Sequence, residues 1–346
     1  MRTWKRSIPA LLIAAFASTA FACNVPVFRY ALERWKPDLC EVIVFHRGEL
    51  SESAAEQTTA IEKSAQLSDR AANIEVRRFR TDGDHKNPTP ADVAAAELWK
   101  SIQGREEVKL PYVIVRSNVS DKRIVNGWRG ELAEFEKAKL LDSPARRELS
   151  RRLLSGDSVV WILLKSSDAK QNESVKQLLT TELKQLSKTI EFPEGLGLPG
   201  SELYSELPLL MRFTVLEISN DNPEEQFLVK LFEGFQPEAV AAHQPLIIPV
   251  FGRGRALEVV PADRLDAGVI GDLTRYLCGA CSCQVKERNP GFDLLLSTKW
   301  DRELFGEGAE LPPPPKEYDP AQAPVLLTIP PGKGSRSSAP NNTERK

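Results

Sequence analysis

One order of segments, strand-helix-strand-helix-strand-strand-helix, occurs twice in this chain, over about residues 41 to 142 and again over about 158 to 278. In the first copy Glu41–His46 reads as a buried strand, Glu52–Leu67 as a helix with Ser51 as its cap, and Asn73–Arg80 as a second strand alternating through Ile74 and Val76. Pro90–Ile102 reads as the next helix: Thr89 stands at the cap and Pro90 at the first helical position, where a missing N–H does no harm. Leu110–Val115 is a strand opened by Pro111, Arg123–Trp128 is its hairpin partner closed by Gly130, and Glu131–Leu141 is the last helix.

The second copy begins with Val159–Leu164, a near-continuous apolar run of the kind that central strands show. A long helix over 169–190 is followed by an irregular stretch, Glu191–Pro208, rich in glycine and proline. Leu210–Ile218 is a strand, Pro223–Phe235 a helix, and Pro245–Phe251 a strand again opened by proline. Ala256–Val260 returns, and Asp266–Leu277 closes the copy as a helix. Ahead of the first copy Val25–Trp35 carries a helical apolar stripe, and between the copies Ser143–Leu154 is a basic helical connector ended by Gly156.

A proline at the start of the third strand, then a hairpin and a helix, resembles the thioredoxin-like fold, in which that proline is cis and faces the active site. The resemblance implies an α/β chain of two tandem thioredoxin-like domains. It makes Pro111 and Pro245 groove-lining residues and sets His46 beside Pro111. The alternative organisation is one larger doubly wound sheet. The expected division is a signal peptide at 1–22, a first domain with its leading helix at 23–142, the connector at 143–157, a second domain at 158–300, and a disordered proline-rich tail at 301–346. About 320 residues after removal of the leader exceed the usual ~100–200 per domain, which also favours two.

Thioredoxin redox chemistry needs Cys-x-x-Cys just after the first core strand, where a helix N-terminus lowers the thiol pKa. Those positions hold His46-Arg47-Gly48-Glu49-Leu50 and Ser166-Ser167-Asp168-Ala169. Dithiol chemistry at the usual site is excluded by residue identity. Gly-x-Ser-x-Gly, His-Glu-x-x-His and a nucleotide loop are absent, and His46, His85 and His243 are too scattered to suggest a triad.

The N-terminus has a cationic start at Arg2, Lys5 and Arg6, an apolar run over 8–22 and Ala20-Phe21-Ala22 before Cys23, which is an export signal. Ala-x-Ala suits ordinary signal peptidase, whereas small residues ending at a cysteine resemble a lipoprotein box with Cys23 as the lipidation site. Four further cysteines are Cys40, Cys278, Cys281 and Cys283. The cluster Cys278-Gly-Ala-Cys281-Ser-Cys283 admits a disulfide, a zinc or Cu(I) site, or reactive thiols, with Cys40 as a candidate fourth partner. Export favours disulfides.

The net charge of −2 comes from mixed acids and bases without a basic stripe, so nucleic-acid binding has no electrostatic support. The leader, the two strand-opening prolines and the cysteine cluster together resemble exported bacterial proteins of no known activity. The expected protein is therefore exported and lipid-anchored, on the periplasmic side of a membrane or at the cell surface, and secreted or periplasmic if Cys23 is unmodified. It would be a non-catalytic binding or scaffold module, needing no cofactor and meeting an envelope component or protein partner near Pro111 and Pro245. The alternative is a thiol- or metal-handling protein using Cys278, Cys281 and Cys283.

Overall fold

The computed structural model describes residues 24–67, 70–83, 87–103, 108–119, 123–281 and 284–313. The export signal, Cys23, His85, Cys283 and most of the proline-rich tail lie outside the described residues. In chain order the elements are α1 (Val27–Arg34), β1 (Cys40–His46), α2 (Glu52–Ser64), β2 (Ile74–Arg80), α3 (Pro90–Gln103), β3 (Tyr112–Val119), β4 (Arg123–Glu131) and α4 (Pro144–Leu154). There follow β5 (Val159–Lys165), α5 (Ala169–Thr189), β6 (Phe213–Ser219), α6 (Gln226–Glu233), α7 (Pro237–Ala241), β7 (Leu246–Phe251), β8 (Arg255–Ala256), β9 (Val260–Pro261), α8 (Ala267–Cys278), β10 (Phe292–Asp293) and α9 (Trp300–Phe305). The architecture is mixed α/β with two sheets.

The first sheet runs β2-β1-β3-β4, with β1 parallel to β2 and antiparallel to β3, and with β3 and β4 a hairpin. Because strand side chains alternate, Val42 and Val44 face α2 together with Val113 and Val115, whereas Ile43 and Phe45 face α3 with Tyr112 and Ile114. Phe45 stacks on Trp99 of α3 at 5.1 Å between ring centres. The second sheet runs β10-β8-β7-β5-β6, with β9 also on β7; β5 is parallel to β6 and antiparallel to β7. Val159, Trp161 and Leu163 pack toward α1, α5 and α8, while Val160, Ile162 and Leu164 pack toward α4, α6 and α9.

Several expectations are corrected. The leading helix, grouped by sequence order with the first domain, packs in the core of the second sheet through Val27, Phe28, Tyr30 and Ala31. Two of its three charged residues are buried as an ion pair: Arg29 Nε donates to Glu33 Oε1 at 2.8 Å, and Glu33 also accepts from the Tyr204 and Ser205 N–H groups. Arg253 donates to the Leu32 and Glu33 carbonyls at the C-terminal end of α1, satisfying acceptors that the helix itself leaves open. The connector α4 likewise joins the second core, through Leu149 and Leu153.

The helix expected over 131–141 is instead a 3₁₀ turn at Leu132–Glu134 and a looser stretch; Lys139, at φ +51°, leaves the helical region. The strand expected to return over 256–260 is split into β8 and β9. Residues 301–305, expected to open the tail, are instead part of α9, held by burial of Trp300 and Leu304 and by Asp301, 2.7 Å from Arg253.

The two sheets share a seam. Phe227 of α6 and Leu295 enter the first core, and Gly127 of β4 lies so close that a Cβ there would stand 2.7 Å from the Phe227 ring. Residues 284–297 return along the first unit: Asn73 Nδ2 donates to the Asp38 and Leu294 carbonyls, and its Oδ1 accepts from Leu296 N–H at 2.8 Å. Asp293 is the electrostatic centre of that seam. Its carboxylate accepts from Arg255 Nη1 at 3.1 Å, from Asp38 N–H at 2.6 Å and from Lys286 Nζ.

Candidate functional site

In both sheets a proline meets the C-terminal end of the first core strand. Phe45 pairs with Tyr112, so Pro111 stands across from His46; Leu164 pairs with Leu246, so Pro245 stands across from Lys165. The Leu110–Pro111 bond is cis, and Gln244–Pro245 is trans.

In the first unit the strand end is closed by its own loop. His46 Nδ1 lies 2.9 Å from the Gly48 carbonyl, and Thr81 donates through both N–H and Oγ1 to the His46 carbonyl. Gly48, at φ +57°, donates its N–H to both Asp82 carboxylate oxygens, and that bond holds Asp82 below the usual carboxylate range. This is a satisfied turn, and His46 is one of its braces.

In the second unit the same place is an open polar cleft of about 30 Å³. Its walls include Ser166, Ser167, Asn220, Glu233, His243 and Gln244. The loop is locked by a reciprocal pair, Ser166 N–H to Asn172 Oδ1 at 2.9 Å and Asn172 Nδ2 to the Ser166 carbonyl at 2.8 Å. Asp168 Oδ1 accepts from the Lys170 and Gln171 N–H groups, both at 3.0 Å, so a carboxylate caps the start of α5. Ser167 Oγ lies 3.3 Å from Nδ1 of His243, a residue held at φ +53°. Glu233 has its carboxyl pKa raised by burial, opposed by the Lys230 charge.

The cleft is therefore a set of hydrogen-bonding groups without a thiol. Its volume admits about two waters, far below the ~300–1,000 Å³ that encloses a drug-sized substrate. The arrangement suits a protruding side chain or a small polar group. The Ser167–His243 pair joins residues 76 apart in sequence, and nothing local announces it.

The thiols stand elsewhere. Cys40 begins β1 at the end opposite His46, roughly 20 Å away along the strand at ~3.3 Å per residue. Its Sγ lies 3.3 Å from Ser117 Oγ, and burial raises its pKa to about 11. Cys278 ends α8, where burial pushes the thiol up to about 12. Neither is bridged, so the disulfides expected for these two are not formed; they sit in different cores, under different sheets. Cys281 is buried in the same core as Cys278, and its N–H donates to the Val25 carbonyl at 2.9 Å. Among the described residues no group of three His, Cys, Asp or Glu side chains is gathered as a metal site, and no helix is long and apolar enough to cross a membrane. Comparison with known protein families, with curated proteins and with solved structures finds no match to this chain.

Proposed function

We propose that the protein is an exported, lipid-anchored binding or scaffold protein of the cell envelope, built of two thioredoxin-like units that carry no redox pair. The same strand order, parallel first pair, antiparallel hairpin and strand-opening proline in both units support the tandem reading. One observation carries the functional reading. At the strand end where a thioredoxin holds its thiols, this chain holds a self-bonded turn at His46 and, in the second unit, an open polar cleft beside Pro245. A partner side chain is received at that cleft, with Ser167, His243 and Gln244 as the contacts. Export and acylation of Cys23 rest on residues 1–23 of the sequence.

Burial of Cys40 and Cys278 weighs against the thiol-handling alternative. Burial raises both thiol pKa values well above the ordinary value, so both stay protonated and unreactive at neutral pH. The test is a photo-crosslinking residue at position 244 in the native envelope. The same adduct is expected in the otherwise unaltered protein and in a Cys278→Ser, Cys281→Ser variant, and disulfide reduction by the protein should not exceed the buffer rate. An adduct lost with the cysteines, or measurable turnover, moves the function to the Cys278 to Cys283 cluster.

A further inference from the structure

A lipid on Cys23 would leave this molecule no slack. Asn24 N–H donates to Ser201 Oγ at 2.9 Å, and Val25 is fully buried. Pro26 bridges to Ala280, Val27 N–H donates to the Gly279 carbonyl and Cys281 N–H to the Val25 carbonyl. The chain is thus fixed in the protein body from the residue after Cys23, whereas a flexible tether would need several free residues.

The surface at that point is a tight loop over 195–201. Gly197 N–H donates to the Ser201 carbonyl, Leu198 N–H to the Gly195 carbonyl and Ser201 N–H to the Leu198 carbonyl, and Gly195, Gly197 and Gly200 supply the positive φ angles that such tight turning requires. Its tip, Gly195-Leu196-Gly197-Leu198-Pro199-Gly200, holds six residues without a charge. Leu198 is 61% exposed, more than any other large apolar side chain among the described residues. It is close to the anchor as well. A Cβ on Gly195 would lie 2.9 Å from Asn24 Nδ2 and 3.7 Å from Leu198 Cδ1. Asn24, the residue that follows Cys23 in sequence, thus lies against the same glycine as Leu198.

We infer that the 195–200 loop is a membrane foot: Leu198 and Pro199 rest in the interfacial layer of the bilayer that holds the Cys23 lipid and fix the orientation of the whole molecule above it. Apolar side chains at an interface sit ~5–10 Å into the headgroup and acyl boundary, a depth that an exposed loop tip next to the start of the folded chain can enter. Glu194 and Glu202 flank the tip, so the surface it fits is zwitterionic and not strongly anionic. Two leucine-sized contacts add little to the hold of an acylated cysteine; their effect is on direction. The cleft at Ser167 and His243 is then presented at a constant angle to the membrane.

This inference rests on acylation of Cys23, and the experiment separates the two. Full-length protein carrying Leu198→Trp is purified from its native membrane, its mass is measured, and it is placed in phosphatidylcholine vesicles with and without brominated acyl chains. Val93→Trp, at an exposed site on α3 of the first unit, is the control. The expected result is an acyl mass on Cys23, at least a twofold loss of the added emission at position 198 in brominated vesicles and none at position 93. An acyl mass without quenching at 198, or with equal quenching at both positions, overturns the foot and leaves the anchor standing. Absence of the acyl mass removes the anchor and the foot together.

Discussion

In the second sheet the strands β5 and β7 are buried on both faces along nearly their whole length, whereas the sheet around β1 and β3 carries exposed arginines on its edge strand β2 and has a core completed by residues from outside its own unit. Both sheets begin from the same order of elements. The difference lies in the flanks. The second unit takes α1 from before the first unit, α4 from between them and α9 from beyond its own last helix, and with these covers both faces. The first unit receives Phe227 and Leu295 in return. Strand order thus sets the pairing within each sheet, and the flanking segments set which sheet carries the larger core.

The seam is where this comparison is most easily broken. Asp293 has a side chain 4% exposed and serves Lys286, Arg255 and the Asp38 N–H. Asp293→Ala would take the buried carboxylate from Lys286 and Arg255 and leave them only Asp38 and backbone carbonyls, and breaking such a buried pair costs up to about 3–5 kcal/mol. Urea unfolding followed by circular dichroism is expected to show one transition in the unaltered protein and two in the variant, the first unit melting earlier because its core is completed across the seam. A single transition at an unchanged midpoint would mean that the seam holds without Asp293, through the Phe227 and Leu295 packing and the Asn73 hydrogen bonds.

A smaller effect tests the larger core from within. The Trp161 ring is fully buried between β5 and the helices α1, α5 and α8, and its indole N–H has no hydrogen-bond partner. Trp161→Ala would cost about 3–5 kcal/mol through the cavity it opens. Trp161→Phe removes the unpaired donor, whose burial costs about 1–3 kcal/mol, and offsets most of the lost packing, so the midpoint should move by less than ~1.5 kcal/mol. A Phe variant as unstable as the Ala variant would show that the indole shape, and not its apolar bulk, organises this core.

Alkaline titration bears on both cores at once. Cys40 and Cys278 have folded pKa values raised to about 11 and about 12 from an ordinary value of 9.0. Above pH 9 the unfolded chain gives up these protons while the folded chain keeps them, so the unfolded state is favoured as pH rises. The stability tied to the thiols is complete below pH 9 and is lost between about 9 and 12. Cys40→Ala should flatten that loss for the first unit, and Cys278→Ala for the second, read from denaturant midpoints at pH 8 and pH 10.

Much of this architecture was legible in the sequence, because the apolar runs Val42–Phe45 in β1 and Val159–Leu164 in β5 report burial directly. Residues that work across long distances were not. Arg29 and Glu33 look like a solvated helix face, yet both are buried where α1 meets the loop containing Ser205. The apolar spacing of Leu132, Phe135 and Leu140 suggests a helix, but these side chains are buried from a 3₁₀ turn and a left-handed Lys139. Trp300 and Leu304, four apart, did carry a helical signal, masked by the prolines that follow. At the candidate site the prolines at 111 and 245 were legible as strand openers. The Asp168 cap is local, two and three residues from the N–H groups it accepts, whereas the Ser167–His243 pair needed the fold to bring it together.

The smallest expected effect concerns the exposed edge of the first sheet. Arg78 in β2 forms a forked pair with Glu62 of α2, at 2.9 Å to each oxygen, and both side chains are 38% exposed. Solvent screening holds such a pair to about 0–1 kcal/mol, so Arg78→Gln should barely move the unfolding midpoint. Edge strands also present unpaired N–H and C=O groups, and charge is a common means of keeping them from pairing with other chains. The Arg78→Gln protein is therefore expected to scatter more light on concentration at moderate salt while keeping its stability. An equivalent change in the second sheet, Lys176→Gln beside Glu217 on edge strand β6, should act less, because Lys165 still stands 3.8 Å from that carboxylate. Equal scattering from both variants would show that the two edges are guarded alike, and that the difference between the units ends at their cores.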